Sequence, residues 1–213
     1  MSVQQTAIEC KTRDGTIVDY FHFLREVCSI KIIERGQNII GGYGKTVEID
    51  ESKFFKRKNN KGRVLMDQKD GWVFGGICRE TKEFFMLRVP DRSADTLLPI
   101  IHKYIRPGTK IISDEWKAYI QMQNQGIEHG TTCHKRNFVS PDDPAVHTQN
   151  IENLWRYAKA VYPENSTSEC LKESYLHEFA YRKRFGVNTI HQILHDIREI
   201  YDWRKAFYQE DKD

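Results

Sequence analysis

The chain has no apolar run approaching the roughly 18 residues that a membrane-spanning helix requires. Its N-terminus, MSVQQTAIECKTRDG, is polar and lacks the apolar stretch of a secretory signal. The expectation is therefore a soluble, intracellular protein with no membrane partner. Paired cysteines are missing too: Cys10, Cys28, Cys78, Cys133 and Cys170 are odd in number, lie far apart and form no CxxC. That excludes a disulfide framework and a zinc ribbon and leaves mostly buried, reduced thiols. Cys133, His134 and His129 make one sparse soft-ligand grouping in a loop. The glycines of Ile39 to Gly44 do not have phosphate-loop spacing, and the stretch reads as a flexible connector without a nucleotide role. Charge of one sign is not in large excess either, since 33 Lys and Arg against 30 Asp and Glu leave +3. By itself that balance does not call for nucleic acid.

What is present is an uneven distribution of that charge. Between Ser52 and Met66 lie Lys53, Lys56, Arg57, Lys58, Lys61 and Arg63, with no acid among them. If all met phosphates, counterion release would cost roughly a thousandfold in affinity between about 50 and 200 mM salt. The alternative is a solvated hairpin loop. Smaller basic clusters at His134-Lys135-Arg136 and Arg182-Lys183-Arg184 favour a polyanion partner.

At 213 residues the chain suits one sizeable α/β domain. Tyr20, Phe23, Leu24, Val27 and Cys28 at three- and four-residue spacing predict a helix from Thr16 to about Glu34, ending before Gly36. Strands are expected at Thr46 to Phe54, Trp72 to Arg79 and Glu83 to Val89, as an antiparallel meander. Ser93 caps a helix with Leu97, Leu98, Ile101, Tyr104 and Ile105 on one stripe, stopped by Pro107-Gly108. Lys110 to Ser113 then forms a short strand parallel to the first, the order that begins a ribonuclease H-like fold. A helix near Glu115 to Gln123 and a loop-rich strand around His129 to Val139 follow. Ile151, Leu154, Trp155, Ala158 and Tyr162 are the buried stripe of a helix from about Thr148 to Tyr162, with Glu152 at its edge and Lys159 two turns on. Ser166 and Glu169 make a capping box for a helix to about Phe185. Asn188 caps the last helix, with Ile190, Ile193, Leu194, Ile197, Ile200 and Tyr201 as its core face. These two helices are expected to pair antiparallel across the end of the sheet.

Three carboxylates occupy informative places: Asp50 closes Thr46 to Asp50, Asp114 closes Lys110 to Ser113, and Glu152 sits early in a helix. A folded sheet can bring them to one edge. At an effective dielectric of about 20, two carboxylates ~4 Å apart repel by roughly 4 kcal/mol, so ionised neighbours need cations between them. Oxygen-only ligands suit Mg²⁺ or Mn²⁺. A pair of such ions supports phosphoryl transfer without a protein nucleophile; Asp50 would bridge both, Asp114 would hold one and Glu152 the other. Each acid also has an ordinary reading. Glu48 and Asp50 could face outward on an edge strand, Asp114 could begin the next helix, and Glu152 could be a plain first-turn acid.

The blocks KTVEIDESKFFKRKNNKGR, GWVFGGICRET, VPDRSADTLLPIIHKYIRPGTKIISDEWKAY and HTQNIENLWRYAK occur in that order. Together they resemble the catalytic domain of Merlin-type DNA transposases and their bacterial insertion-sequence relatives, from about Thr16 to Tyr201. The resemblance implies a ribonuclease H-like mixed sheet flanked by helices, with an N-terminal helix and a C-terminal helical pair. It implies a transposase that cuts element ends and joins them to target DNA, with Asp50, Asp114 and Glu152 as its catalytic and metal-binding triad and two Mg²⁺ or Mn²⁺ ions. Lys159 matches a basic residue that contacts DNA, alongside Lys53, Lys56, Arg57, Lys58, Lys61 and Arg63, while Trp116, His147 and Trp155 are supporting residues. The implied partners are double-stranded DNA, as element ends and target, and a second copy of the chain; the implied location is the nucleus if the host is eukaryotic. Residues 1–40 would be a helical remnant of a DNA-binding module, 41–205 the catalytic domain and 206–213 a charged tail. Two departures stand out: Gln149 replaces the family's asparagine, and one helix stands before Gly36 where relatives carry a helix-turn-helix or zinc ribbon. The second leads to the expectation of a truncated reading frame or a reduced end-recognition module. A catalytically silent or domesticated DNA-binding derivative is the alternative function.

Overall fold

A computed structural model describes residues 2–54, 71–114, 119, 127–132, 147–162 and 169–202. The helix expected near Glu115 to Gln123, Trp116, the loop residues Lys56, Arg57, Lys58, Lys61 and Arg63, the Cys133-His134 pair, Ser166 of the capping box and the tail lie outside them. The chain divides into two compact units, Gln37–Ser166 and a helical unit of Met1–Gly36 with Thr167–Asp213. No helix among the described residues is long and apolar enough to cross a membrane.

In the first unit a short β1 (Ile40–Gly41) precedes β2 (Thr46–Lys53), β3 (Trp72–Cys78), β4 (Phe84–Val89), α3 (Ala94–Tyr104), β5 (Ile105–Arg106), β6 (Lys110–Asp114), β7 (His129–Thr132) and α4 (Gln149–Val161). Five strands make a mixed sheet in the order β4-β3-β2-β6-β7. The central β2 runs antiparallel to β3 and parallel to β6, as the sequence predicts. Val47 and Ile49 supply β-branched residues that fit a pleated surface covered on both sides. One face packs Val47, Ile49, Phe74, Phe85 and Ile111 against Leu97, Leu98 and Ile101 of α3. Ser93 caps α3 by accepting from the Thr96 amide at 3.3 Å.

The other face of the sheet lies under α4, which buries Ile151, Leu154, Trp155 and Ala158. Each large apolar side chain so buried contributes roughly 1.5–3 kcal/mol. The connector before β2 is more ordered than a flexible linker. Ile40 and Gly41 pair in parallel with Ile105 and Arg106. Gly41 holds φ of 80°, and a Cβ there would sit 2.4 Å from Thr109 Oγ1. Gly44-Lys45-Thr46 leads into a strand rather than a helix, so it presents no helix N-terminus to a phosphate.

The helical unit holds α1 (Val3–Glu9), α2 (Asp14–Arg35), α5 (Glu169–Phe185) and α6 (Thr189–Ile200). The polar N-terminal stretch conceals α1, which Ser2 caps by accepting from the Gln5 amide at 3.2 Å. Expectation and structure part company at α6. Ile190 and Leu194 are 74% and 62% exposed, whereas Asp196 is fully buried. Arg35 grips Asp196 through two hydrogen bonds of 3.0 and 2.7 Å, Tyr181 donates to it at 2.7 Å and Gln192 at 2.8 Å. That network sets the rotation of the helix against its apolar stripe. Asn188 makes no side-chain cap; it ends a 3₁₀ turn, Gly186–Asn188, instead.

Candidate active site

Asp50 lies on the central strand on the face that α4 covers. The parallel pairing Thr46↔Lys110, Val47↔Ile111, Glu48↔Ile112, continued two residues along, sets Asp50 level with Asp114. Paired residues of parallel strands share a face, and neighbouring strands lie about 4.8 Å apart. Both acids are half-buried. Their charge is felt on the opposite face by Glu51, which is buried and accepts from the Tyr119 hydroxyl at 2.5 Å. Burial pushes the Glu51 carboxyl up to about 7, the Tyr119 hydrogen bond opposes the rise, and the negative charges of Asp50 and Asp114 add to it. Tyr119 is raised well above its ordinary value by burial and by the Glu51 charge. Asp50 and Asp114 thus add negative charge at the end of β2, which Arg92 partly offsets.

The helix carrying Glu152 is fastened to this strand at two points. Trp155 Nε1 donates to Asp50 Oδ2 at 2.9 Å. The indole fits because Gly75, paired with Asp50 across β2 and β3, has no side chain; a Cβ there would stand 2.7 Å from Trp155 Cη2. The second fastening is Glu48. The alternative edge-strand reading would turn Glu48 outward, but it is fully buried, because the face it shares with Asp50 is the one α4 covers. Its Oε2 accepts from the amides of Asn150 and Ile151 at 2.8 and 3.0 Å, and its Oε1 from Asn150 Nδ2 at 2.7 Å and Arg79 Nε at 2.6 Å. Thr148, at the N-cap, makes no side-chain cap of its own.

Glu152 follows directly in the first turn of α4, half-buried, with Oε1 accepting from Thr148 Oγ1 at 3.3 Å. His147 lends its carbonyl to Arg79 Nη2, and its Nδ1 stands 3.5 Å from Glu48 Oε1. Lys159 and Lys53 are exposed, each with Nζ 5.6 Å from an aromatic ring, Phe54 and Trp72 respectively. Arg92 covers the same Trp72 ring at 4.1 Å.

Asp50, Asp114 and Glu152 share one face of the sheet but do not gather as tightly as a cluster in the helical unit. Among the described residues, the group of three donors lying within 4.8 Å of one another is His195, Asp196 and Glu199. That group is unsuited to a cation. The Asp196 oxygens already accept four hydrogen bonds, two of them from Arg35, and Lys31 stands 3.1 Å from Glu199. Glu48, Asn150, Arg79 and Gly75 are the residues that sequence reasoning missed. The signal was the period of two: Glu48 must share its face with Asp50, so a helix laid over one covers the other.

Carboxylates on two adjoining strands, with a third on a helix laid over them, can hold hard divalent cations of the kind used in phosphoryl transfer. The chain carries a transposase domain, a class of protein that acts on DNA. It belongs to the ISXO2-like transposase domain family, whose model matches residues 39–184, a span that includes all three acids. None of the curated proteins compared with the chain matches it.

Proposed function

We propose that the chain is a DNA transposase of the Merlin type that cuts element ends and joins them to target DNA. In this reading Asp50, Asp114 and Glu152 hold two Mg²⁺ or Mn²⁺ ions on a ribonuclease H-like sheet. The observation that carries it is the Trp155 to Asp50 hydrogen bond, which joins the helix of Glu152 to the strand beside Asp114. The donors fit hard cations, being all carboxylate, half-buried and set where Glu51 already feels excess negative charge. Three antiparallel strands, a crossover helix and a parallel strand support the ribonuclease H-like arrangement.

When bound, such ions lower the pKa of the attacking water or 3′-hydroxyl and stabilise the leaving oxygen. The chain's own part is placement. Trp155 fixes one oxygen of Asp50, and α4 carries Glu152 on the same face. Lys53 and Lys159 project into solvent from β2 and α4, where they can meet DNA phosphates, and the basic run from Lys56 to Arg63 extends that charge along the sequence. A second copy of the chain would hold the other element end, and in a eukaryotic host the reaction would take place in the nucleus.

The test is Mn²⁺-dependent nicking and joining of DNA that carries the inverted repeats flanking this reading frame. Wild type should nick and join, and Asp114→Asn should lose both. Equal activity in the two proteins would sink the proposal. DNA binding without nicking in wild type would instead identify a silent, domesticated DNA-binding derivative.

A further inference from the structure

We infer that Glu48 is a positioning residue of the reaction: its buried carboxylate, fixed on the strand of Asp50, holds the first turn of α4 and so sets where Glu152 stands. The inference rests on the proposed function of the three acids. A helix N-terminus leaves four amides without partners inside the helix, and a side chain at the N-cap usually meets some of them. Here Thr148 does not, and Glu48 reaches across from β2 to take the amides of Asn150 and Ile151. A local cap would end the helix just as well. A cap drawn from the strand of Asp50 does something a local one cannot: it ties the residue immediately before Glu152 to that strand. Asn150 Nδ2 closes on Glu48 Oε1 at 2.7 Å, Arg79 Nε supplies the countercharge at 2.6 Å, and Arg79 Nη2 holds the carbonyl of His147. The turn that leads into Glu152 is thus held to one buried carboxylate at both ends, directly at Asn150 and Ile151 and through Arg79 at His147. Groups that orient ligands in this way are commonly worth about 10–100-fold in metal affinity or activity when altered.

The test is Mn²⁺ binding by calorimetry on wild type and Glu48→Gln, at a temperature where circular dichroism shows both folded, with nicking kinetics alongside. Glu48→Gln keeps size and one carbonyl acceptor but loses the charge and the second acceptor. It should weaken Mn²⁺ binding about tenfold and lower kcat of nicking by a similar factor, with KM for DNA within about twofold of wild type. A purely structural role would lower thermal stability and leave Mn²⁺ affinity and kcat as they are; that result overturns the inference while the three-acid reading stands. A wild type that neither binds Mn²⁺ nor nicks would bring down both. Should Glu48→Gln not fold, Asn150→Ala decides, since it keeps the carboxylate and both backbone bonds and removes the 2.7 Å side-chain bond, along with an exposed 3.2 Å bond from Lys82 Nζ that does not touch Glu48. It should weaken Mn²⁺ binding in the same direction, and unchanged affinity would overturn the inference.

Discussion

Glu48 and Asp50 stand two residues apart on one face of one strand, yet the first is sealed under a helix and the second is half open. The difference is in their partners. Four hydrogen bonds and the Arg79 charge offset the cost of burying Glu48. In the helical unit Asp196 is a second buried acid. Burial pushes its carboxyl up, but the hydrogen bonds from Arg35, Tyr181 and Gln192 outweigh that and hold it at about 2, against an ordinary value of 3.8. A depressed acid stabilises the fold above its unfolded pKa, so the contribution is whole above about pH 4 and is lost as pH falls through about 2. Asp196→Asn should remove that acid limb from urea-denaturation profiles. It should also cost about 1–3 kcal/mol at neutral pH by weakening the hydrogen bonds that Arg35, Tyr181 and Gln192 give to the buried carboxylate. A variant as stable as wild type would refute the role given to this carboxylate. The burial of Asp196 could not be read in the sequence, because its partner Arg35 lies far along the chain; for Glu48 the period of two gives the face, but not the distant Arg79 and Asn150 that satisfy it.

The strands of the sheet were legible because their β-branched and aromatic runs are bounded by turns, and the start of α3 because Ser93 caps it; its end was not, since the helix stops at Tyr104, ahead of Pro107-Gly108, and Ile105 leaves the expected stripe to pair with Ile40 in β5. The Gln149–Val161 helix was legible from its stripe, but what fastens it was not. Gly75 looks like a weak point in a strand; in the fold it is the space for the Trp155 ring. Gly75→Ala should therefore destabilise the protein by about 1–3 kcal/mol, since the Cβ would also lie 2.8 Å from the Phe85 carbonyl oxygen. Tryptophan emission should shift as the indole leaves its seat, and unaltered stability and emission would contradict this packing. The last helix does not follow its apolar stripe because the buried Asp196, bonded to Arg35, Tyr181 and Gln192, decides its rotation instead of hydrophobic area. The first helix escaped notice because seven mostly polar residues carry too little periodicity to reveal it.

At the scale of the molecule, Asp50 and Asp114 lie on adjoining strands and Glu152 on the helix over them, and the sequence-distant groups Arg79, Trp155 and Glu48 fasten that helix to the strand of Asp50. Binding to DNA is expected to draw on the basic run after Asp50. Neutralising Lys56, Arg57 and Lys58 together should flatten the salt dependence of DNA affinity by a slope of about three, measured by titration across a range of salt. An unchanged slope would mean that these side chains only face solvent. In the proposed function the three acids act as a unit, and groups that act as a unit lose their effects non-additively. The most direct measurement is the Mn²⁺-dependent nicking rate of Asp50→Asn, Glu152→Gln and the double variant on the same DNA. Each single change should abolish nicking to the same residual rate, and the double variant should be no slower. Wild-type nicking rates in the single variants, or independent losses that multiply in the double variant, would contradict the proposed function.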